Sequence, residues 1–371
     1  MKLKVLQENL KQAVSLTSRF ASSKAQLPVL GNILLKAEKE SLLLSATNLE
    51  LSVSVSIGAD VSEEGEITIP AKTLSDLVVN LSPSTIELES KKERVKINSD
   101  HFSSNISAMN SSDFPAVVQT VGKNMTSLDR ETLINTLQKV LYAASNDETR
   151  PVLTGVLVKF DKKKLTFVAT DGFRLSTKSI IADNTSDQQS LILPKTALVE
   201  ITRISSDEEN IGLNFIKKDS QVVFGIEDVV LASRIIEGNF PDYEKIIPKE
   251  NKIKINLAKS DLSQAMRLAG VFARDSANTI KLLVEKDGLT VTSESSKSGS
   301  QKTKIDAKVK GDIGKDGFTI AFNYKFIEDF LGSVEGESVD IEFDEVNSPG
   351  VFRDPEDKDF LHLIMPVRLT S

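Results

Sequence analysis

Cysteine is absent from the 371 residues, and histidine occurs twice, at His101 and His362. The absence of cysteine excludes disulfides, thiolate nucleophiles and cysteine metal ligands. Two histidines far apart in the sequence do not suffice for a histidine-rich metal centre, and they leave a Ser/His/Asp triad just two candidate bases. We therefore predict neither a metal site nor a cofactor.

Aromatic residues are also scarce, at 5% with no Trp and three Tyr. A stacking platform for single-stranded nucleic acid usually needs more of them. The formal net charge of −7 argues against a general DNA-binding protein, which would normally be basic. No apolar run is long enough to span a bilayer, and the first residues do not resemble a signal peptide. We expect a soluble, cytoplasmic protein without a membrane partner.

The sequence does contain an internal repeat, which is the most informative feature. The segment PVL at 28–30 recurs at 151–153, an offset of 123 residues, and ATN at 46–48 recurs as ATD at 169–171. Both segments read as a strand, a short charged turn and a second strand. A third, weaker copy of this hairpin begins at Asn278.

The remaining parts of the repeat predict an α+β fold. A helical pattern precedes each hairpin, from Glu8, Glu131 and Ser260, and a second helix follows each one. Strand patterns such as Leu51 to Ile57 alternate apolar residues with serines, which is typical of half-buried antiparallel strands. We predict three domains, at 1–122, 123–250 and 251–371, each with two helices packed on antiparallel sheets.

The sequence supports an enzyme poorly. The glycines at 311, 314 and 317 lack a following GK[ST], so they read as a turn and not as a phosphate-binding loop. The acidic run at 354–359 is interpreted as a solvated turn around Pro355. His362 lies in an alternating strand pattern. The alternatives are a multidomain enzyme of unknown activity and a repetitive structural protein.

Five motifs occur in a fixed order along this repeat: LPVLGN from Leu27, TRPVLTGV from Thr149, VATDGFRL from Val168, NFPDY from Asn239 and MPVRL from Met365. With these motifs, the chain resembles the bacterial DNA polymerase sliding clamps, the β clamp family, over essentially its whole length. Two departures are the phenylalanine at 173, where the family often has histidine, and the Thr370-Ser371 extension.

The resemblance implies a ring-shaped processivity factor that is not an enzyme. Two chains would join head to tail as a homodimer, giving a six-domain ring around double-stranded DNA. Such a ring retains DNA by topology, so it tolerates an acidic exterior and needs only weak phosphate contacts. The implied partners are the replicative DNA polymerase, the clamp loader, and other clamp-binding polymerases and repair proteins.

The resemblance also implies three sets of site residues. Domain 1 of one chain would meet domain 3 of the other at Ile106, Val271 and Phe272. The DNA-binding candidates are Lys24, at a position where the family places an arginine, and Lys72, Lys139, Lys195 and Arg203 on the predicted inner helices. The pocket for partner peptides, between domains 2 and 3, would comprise Leu153, Thr170, Gly172, Phe173, Arg174, Leu175, Pro241, Ile246, Met365, Pro366, Val367, Arg368 and Leu369.

Overall fold

A computed structural model describes residues 1–22, 27–123, 125–182, 189–315 and 317–368. The described residues form six α-helices and 26 β-strands, in the three-part order that the repeat predicts. They divide into two compact units, one of residues 1–131 with 200–235 and one of residues 132–199 with 236–371. None of the helices in the described ranges is long and apolar enough to cross a membrane.

The first repeat contains helices α1 (Gln7–Thr17) and α2 (Ala71–Asn80). Its strands are β1 (Lys2–Leu6), β2 (Asn32–Glu38), β3 (Ser41–Thr47), β4 (Leu51–Gly58), β5 (Asp60–Glu63), β6 (Gly65–Pro70), β7 (Thr85–Lys91), β8 (Arg94–Ser99) and β9 (Phe102–Ser107). Helix α1 buries Leu10, Val14 and Thr17, whose spacing of three and four places them on one face. The other face of α1 is polar and exposed, so the helix covers the core from one side.

The second repeat contains helices α3 (Arg130–Val140) and α4 (Lys195–Arg203). Its strands are β10 (Thr126–Asp129), β11 (Gly155–Asp161), β12 (Lys164–Thr170), β13 (Arg174–Ile181), β14 (Gln189–Pro194), β15 (Asn210–Ile216), β16 (Gln221–Ile226) and β17 (Val229–Arg234). The predicted hairpin is β11–β12, with Phe160 opposite Leu165 across the turn.

The third repeat contains helices α5 (Lys259–Ala273) and α6 (Tyr324–Ser333). Its strands are β18 (Ile253–Ala258), β19 (Thr279–Glu285), β20 (Gly288–Ser295), β21 (Gly299–Asp306), β22 (Lys308–Lys310), β23 (Phe318–Asn323), β24 (Ser338–Phe343), β25 (Gly350–Arg353) and β26 (Phe360–Ile364). The glycine-rich stretch leads into β23, as predicted. Gly311 has φ +110°, and a Cβ there would lie 2.0 Å from the Lys252 carbonyl oxygen, so the turn requires glycine.

The strands form four antiparallel sheets, and two of these cross the boundaries between repeats. In the first unit, the order β10-β15-β16-β17-β4-β3-β2-β6 joins repeat 2 to repeat 1 through β17 and β4. In the second unit, the order β14-β11-β12-β13-β26-β25-β24-β18-β22 joins repeat 2 to repeat 3 through β13 and β26. The remaining sheets are β5-β1-β7-β8-β9 and β21-β20-β19-β23.

The core of the third repeat is rich in phenylalanine. Phe322, Phe330, Phe343 and Phe352 are fully buried, and their ring centroids lie 5.6 to 5.9 Å apart in the pairs that touch. Aromatic pairs in such geometry add about 0.5–1.5 kcal/mol beyond the burial of their surface. The core thereby fixes α6 and β26, and β26 leads directly into Met365, the first residue of the predicted MPVRL segment.

Candidate functional site

The turn between β12 and β13, residues 170–174, is held by its own side chains, and we call it the pocket turn. Asp171 Oδ1 accepts hydrogen bonds from the backbone amides of Phe173 at 2.9 Å and Arg174 at 3.0 Å. Thr170 Oγ1 accepts from the Gly172 amide at 3.1 Å and donates to the Arg174 carbonyl at 2.6 Å. Asp and Thr are residues that stabilise such turns through their side chains. The Thr170 and Asp171 side chains thereby stabilise the backbone of this predicted site.

The pocket turn presents an exposed aromatic side chain. Phe173 is 61% exposed, although a large apolar residue is normally buried. The Met365 amide, just after β26, donates to the Phe173 carbonyl at 2.8 Å, and the Met365 side chain is also exposed. The two side chains therefore sit on adjacent strand ends and form an apolar rim. Ile246, another predicted site residue, is exposed as well.

The guanidinium of Arg174, in contrast, makes hydrogen bonds within the protein. Its Nε donates to Asp171 Oδ2 at 3.1 Å, its Nη1 to Asp329 Oδ2, and its Nη2 to the Tyr142 carbonyl at 2.6 Å. The guanidinium also lies 4.5 Å from the centroid of the Phe326 ring. A guanidinium with this many partners stabilises the surrounding strands and helix ends. Arg174 therefore braces the site and does not point freely towards a ligand.

Buried apolar side chains around Leu175 form a floor beneath this surface. Leu153 and Leu175 are buried, and Leu175 belongs to an apolar cluster with Val168, Leu361 and Leu363. Beside the same cluster, an open groove of about 550 Å³ is lined by residues 238–244, which include Pro241, together with side chains of β11 and β14. The second unit thus combines an apolar floor, an exposed apolar rim and a groove.

The chain segment after β26 supplies the last predicted residues. The Val367 amide donates to the Ala321 carbonyl at 2.8 Å, which holds this segment beside β23. Pro366 is partly exposed and Arg368 is exposed. Leu369 lies outside the described residues, so the structure does not place it.

His362 is buried in a neutral polar cluster and does not form a catalytic centre. Its Nδ1 lies 2.7 Å from Ser176 Oγ and 3.2 Å from the Tyr142 hydroxyl, and its ring stacks on Phe330 at 5.6 Å. Burial lowers the pKa of His362 to about 3 and raises the pKa of Tyr142 to about 12. Both groups therefore stay neutral at physiological pH. His362 is a strand residue, as predicted.

The acidic run at 354–359 forms a turn around Pro355, as the sequence predicts, but only part of it is solvated, with Glu356 and Asp359 exposed. Asp354 is buried and accepts hydrogen bonds from the backbone amides of Glu335 at 3.2 Å and Glu356 at 3.0 Å. Asp357 lies 2.8 Å from Lys139 Nζ and 2.5 Å from Lys178 Nζ. The interpretation as a solvated turn was therefore wrong for Asp354 and Asp357, because backbone amides hold Asp354 and lysines far away in the sequence match the charge of Asp357. Among the described residues, no group of three or more His, Asp or Glu side chains could hold a metal ion.

The five basic DNA-binding candidates differ in their surroundings. Lys72 on α2 and Arg203 on α4 are exposed, and Arg203 pairs with Glu200 at 2.9 Å. The Lys139 side chain is only 7% exposed and is paired with Asp357. Burial lowers the pKa of Lys195, which donates to Asn146 Oδ1 at 3.1 Å. Lys24 lies outside the described residues. Lys72 and Arg203 are thus the two described candidates whose side chains are exposed.

The three predicted interface residues lie near sheet edges. Ile106 is on β9, which ends its five-stranded sheet, and its side chain is 6% exposed. Val271 and Phe272 are near the end of α5, where Val271 is 58% exposed and Phe272 is partly buried. A Cβ on Gly299, the first residue of edge strand β21, would lie 3.9 Å from Phe272 Cε1.

Sequence reasoning missed Arg150, which lies directly against the pocket turn. A Cβ at Gly172 would lie 3.2 Å from Arg150 Nη1, and Arg150 Nε pairs with Asp147 at 3.1 Å. Gly172 has φ +92° and therefore provides both the left-handed turn and the space for this arginine. The signal was present in the TRPVLTGV motif, where Arg150 precedes Pro151, but the sequence cannot show that the guanidinium folds back onto residue 172.

Comparisons with known proteins identify the family. Sequence models of the N-terminal, central and C-terminal domains of the DNA polymerase III beta subunit match residues 1–118, 127–242 and 244–368. The beta sliding clamp of Synechocystis sp. is 31% identical over 395 aligned residues, and 100% of both chains is covered. The chain belongs to the DNA polymerase III beta subunit family. The fold agrees with this assignment. The Bacillus subtilis sliding clamp matches with a TM-score of 0.94 at 25% identity, and the Caulobacter crescentus clamp with 0.93 at 27%, each over 100% of both chains.

Family membership confirms the expected fold class and the general function. Members of this family are DNA sliding clamps, processivity factors with DNA and DNA polymerase as partners, and they are not catalysts. The chain is accordingly a non-catalytic sliding clamp with three clamp domains. The alternative of a multidomain enzyme is set aside.

Proposed function

We propose that two copies of this chain close head to tail into a ring around duplex DNA and hold the polymerase and other partners by a peptide segment. The strand topology is the observation that carries the ring. The proposed domains are 1–122, 123–250 and 251–371, and the three family models match 1–118, 127–242 and 244–368.

We infer the ring from two edge strands, β21 and β9. The equivalent strands of the other repeats pair with each other within the chain. Strand β21 occupies the place in repeat 3 that β4 and β13 occupy in repeats 1 and 2, after the same hairpin. Strand β9 occupies the place in repeat 1 that β17 and β26 occupy in the other repeats. Since β4 pairs with β17 and β13 with β26, β21 of one chain is expected to pair with β9 of a second chain. The result is a nine-stranded sheet, like the sheet that joins repeats 2 and 3.

The equivalent strands also fix the register of this pairing. Val53 lies opposite Leu231, and Ser176 lies opposite His362. Counting equivalent positions along the ladders places Gln301 of one chain opposite Ser104 of the other. Two residues further along, Ile106 then faces Gly299, beside Phe272. The register therefore brings Ile106 and Phe272 of the predicted interface together, and head-to-tail contacts of this kind give a ring when they close.

A cysteine pair tests this register. The chain has no cysteine, so Ser104→Cys with Gln301→Cys introduces the two thiols that matter. Opposed residues in an antiparallel pair have Cα atoms about 4.5–5.5 Å apart, within the range of a disulfide. Mild oxidation should give covalent dimers on a non-reducing gel. The matched control is Ser104→Cys with Lys302→Cys, whose side chain points to the other face of the sheet. Equal cross-linking in both variants, or none in the first, would contradict the register.

The acidic net charge is compatible with encircling DNA because a ring does not depend on tight phosphate binding. Loading onto nicked circular DNA by a clamp loader, a high-salt wash and then linearisation distinguishes the two kinds of retention. Protein that survives the salt and leaves on cutting is linked topologically. Protein that the salt removes is bound by ordinary electrostatics, and the ring proposal fails.

The peptide site of the proposal is the surface built around the pocket turn. The apolar rim of Phe173 and Met365 offers contacts for apolar anchors, while Arg150 offers hydrogen bonds to a carboxylate or carbonyl. Leu153, Leu175 and Pro241 form its floor and groove wall, and Arg174 keeps the turn in place. The solved clamp from Caulobacter crescentus is described with polyethylene glycol bound to a putative beta-motif tethering region.

A further inference from the structure

The turn between β3 and β4, residues 47–51, has the same internal hydrogen bonds as the pocket turn, and we call it the twin turn. Asn48 Oδ1 accepts from the amides of Glu50 at 3.0 Å and Leu51 at 2.7 Å, as Asp171 does in the pocket turn. Thr47 Oγ1 accepts from the Leu49 amide at 3.0 Å and donates to the Leu51 carbonyl at 2.9 Å, as Thr170 does. The two turns therefore have the same pattern of individual hydrogen bonds.

The surroundings of the two turns are equivalent as well. The Arg234 amide donates to the Glu50 carbonyl at 2.9 Å, just as the Met365 amide donates to the Phe173 carbonyl. The Leu30 amide donates to the Leu27 carbonyl at 3.1 Å, which matches the bond from Leu153 to Arg150 at 2.9 Å. The first unit thus contains a second copy of the framework that carries the peptide site.

The side chains on this second framework are exchanged. Leu27 stands where the pocket turn has Arg150, and Leu49 stands where it has Gly172. Leu27 is 51% exposed and Leu49 is 49% exposed, so the first unit presents two apolar side chains at these neighbouring positions. Conversely, the charged residues Glu50 and Arg234 replace the apolar rim. The two surfaces share a geometry but offer apolar contacts at different places.

Leu49 is held in this position against a backbone preference. Its φ is +77°, a left-handed conformation that favours glycine or asparagine over a bulky side chain. Such strain is concentrated at functional sites, where the surrounding structure maintains it. Here the Thr47 and Asn48 side chains maintain it and, in doing so, keep a large apolar group in solvent.

We propose that Leu27 and Leu49 form a second docking site, which takes the apolar anchor of an extended peptide from a partner protein. The inference rests on the proposed peptide function of the pocket turn, because the equivalence of the two frameworks is what identifies the occupant. Since the side chains are exchanged, the second site binds the same class of apolar peptide with an affinity that differs from that of the first. One chain can then hold two partners at once.

Leucine-methyl NMR spectra of the dimer test the site directly. The probe is a capped peptide with a Leu-Leu-Phe block between Ser-Gly-Ser flanks, and the control peptide has an Ala-Ala-Ala block. Binding at the second site shifts the Leu27 and Leu49 methyl signals, whereas binding at the first shifts those of Leu153 and Leu175. We expect both pairs to move with separate titration curves, and neither to move with the control peptide.

The matched variant is Leu49→Asn, because asparagine accepts the left-handed conformation and keeps the turn folded. It should raise the Kd obtained from the Leu27 methyl shifts about tenfold, the change expected when a contact of about 1.4 kcal/mol is lost. The Kd obtained from the Leu153 and Leu175 signals should stay unchanged. Unmoved Leu27 and Leu49 signals beside shifted pocket signals would overturn the second site alone. If no signal moves, both peptide sites are refuted.

Discussion

The exposed ring of Phe173 allows the peptide site to be tested with a single truncation. Fully burying a phenylalanine side chain contributes about 1.5–3 kcal/mol. Since 61% of Phe173 is exposed in the free chain, a bound peptide can cover somewhat more than half of the ring. Phe173→Ala should therefore cost about 1–2 kcal/mol of binding free energy, which is about a 5- to 30-fold rise in Kd.

The folded state should be nearly indifferent to this change. The hydrogen bonds of the pocket turn are made by Asp171, Thr170 and backbone atoms, and the aromatic ring takes no part in them. Exposed substitutions usually change the free energy of unfolding by less than about 0.5 kcal/mol. A loss of affinity at unchanged stability would thus report a direct contact.

Titration calorimetry with a peptide from the replicative polymerase provides the measurement. The matched control is Glu50→Ala, the same truncation at the equivalent position of the twin turn, and it should leave the Kd unchanged. If Phe173→Ala binds the peptide as tightly as the parent chain, the apolar rim is not part of the binding site. An equal loss in both variants would indicate a general effect on the chain.

Three further predictions concern the rest of the chain. Asp357→Asn should lower the free energy of unfolding by about 2 kcal/mol at pH 7, measured in urea, because it removes a carboxylate from buried Lys139. Burial opposes ionisation of Asp357, but its lysine partners hold its pKa below the usual value, so the difference from the parent should fade below about pH 4. Burial also opposes the Lys139 charge, yet Asp357 and Glu335 raise its pKa, so the difference should fade again above about pH 10.4. A difference that persisted at acid pH would contradict the ion-pair explanation. Gly225→Ala should displace Val121, because the new Cβ would lie 2.2 Å from the Val121 Cγ2 atom. Tryptic cleavage of the segment around Val121 should then become faster. Unchanged cleavage would show that the segment accommodates the new methyl group. Lys72→Glu should speed dissociation of loaded protein from linear DNA without altering the dimer, and an unchanged rate would remove Lys72 from the DNA-facing set.

Much of the fold could be predicted because the repeat exposes local patterns three times. The helices at 8, 131 and 260 and the three hairpins all occur where the periodicity and turn residues placed them. The glycine-rich turn before β23 was predictable for the same reason, since glycine is required by the chain's own conformation there. Patterns of this kind depend on residues that are close in the sequence, so they can be read from a single sequence.

The surroundings of the charged residues could not be predicted in this way. Asp357 and Lys139 are 218 residues apart, and the acidic run around Asp357 looks like an ordinary solvated turn when it is read alone. Likewise, nothing local indicates that Arg174 is occupied by Asp329 on α6. The equivalence of the twin turn and the pocket turn was partly visible in the sequence, because Thr47-Asn48 aligns with Thr170-Asp171. Similar residues do not by themselves show that the hydrogen bonds are the same.

The strand pairs β4–β17 and β13–β26 have a consequence for any attempt to dissect the chain. The central repeat is the easiest segment to recognise, yet half of its strands complete a sheet begun by repeat 1 and the other half a sheet begun by repeat 3. A fragment of residues 123–250 would carry two unpaired sheet edges, and such edges recruit strands from other molecules. Expression of that fragment alone should give aggregates. The piece that can be purified as a folded body is instead a repeat together with the half of its neighbour that shares its sheet.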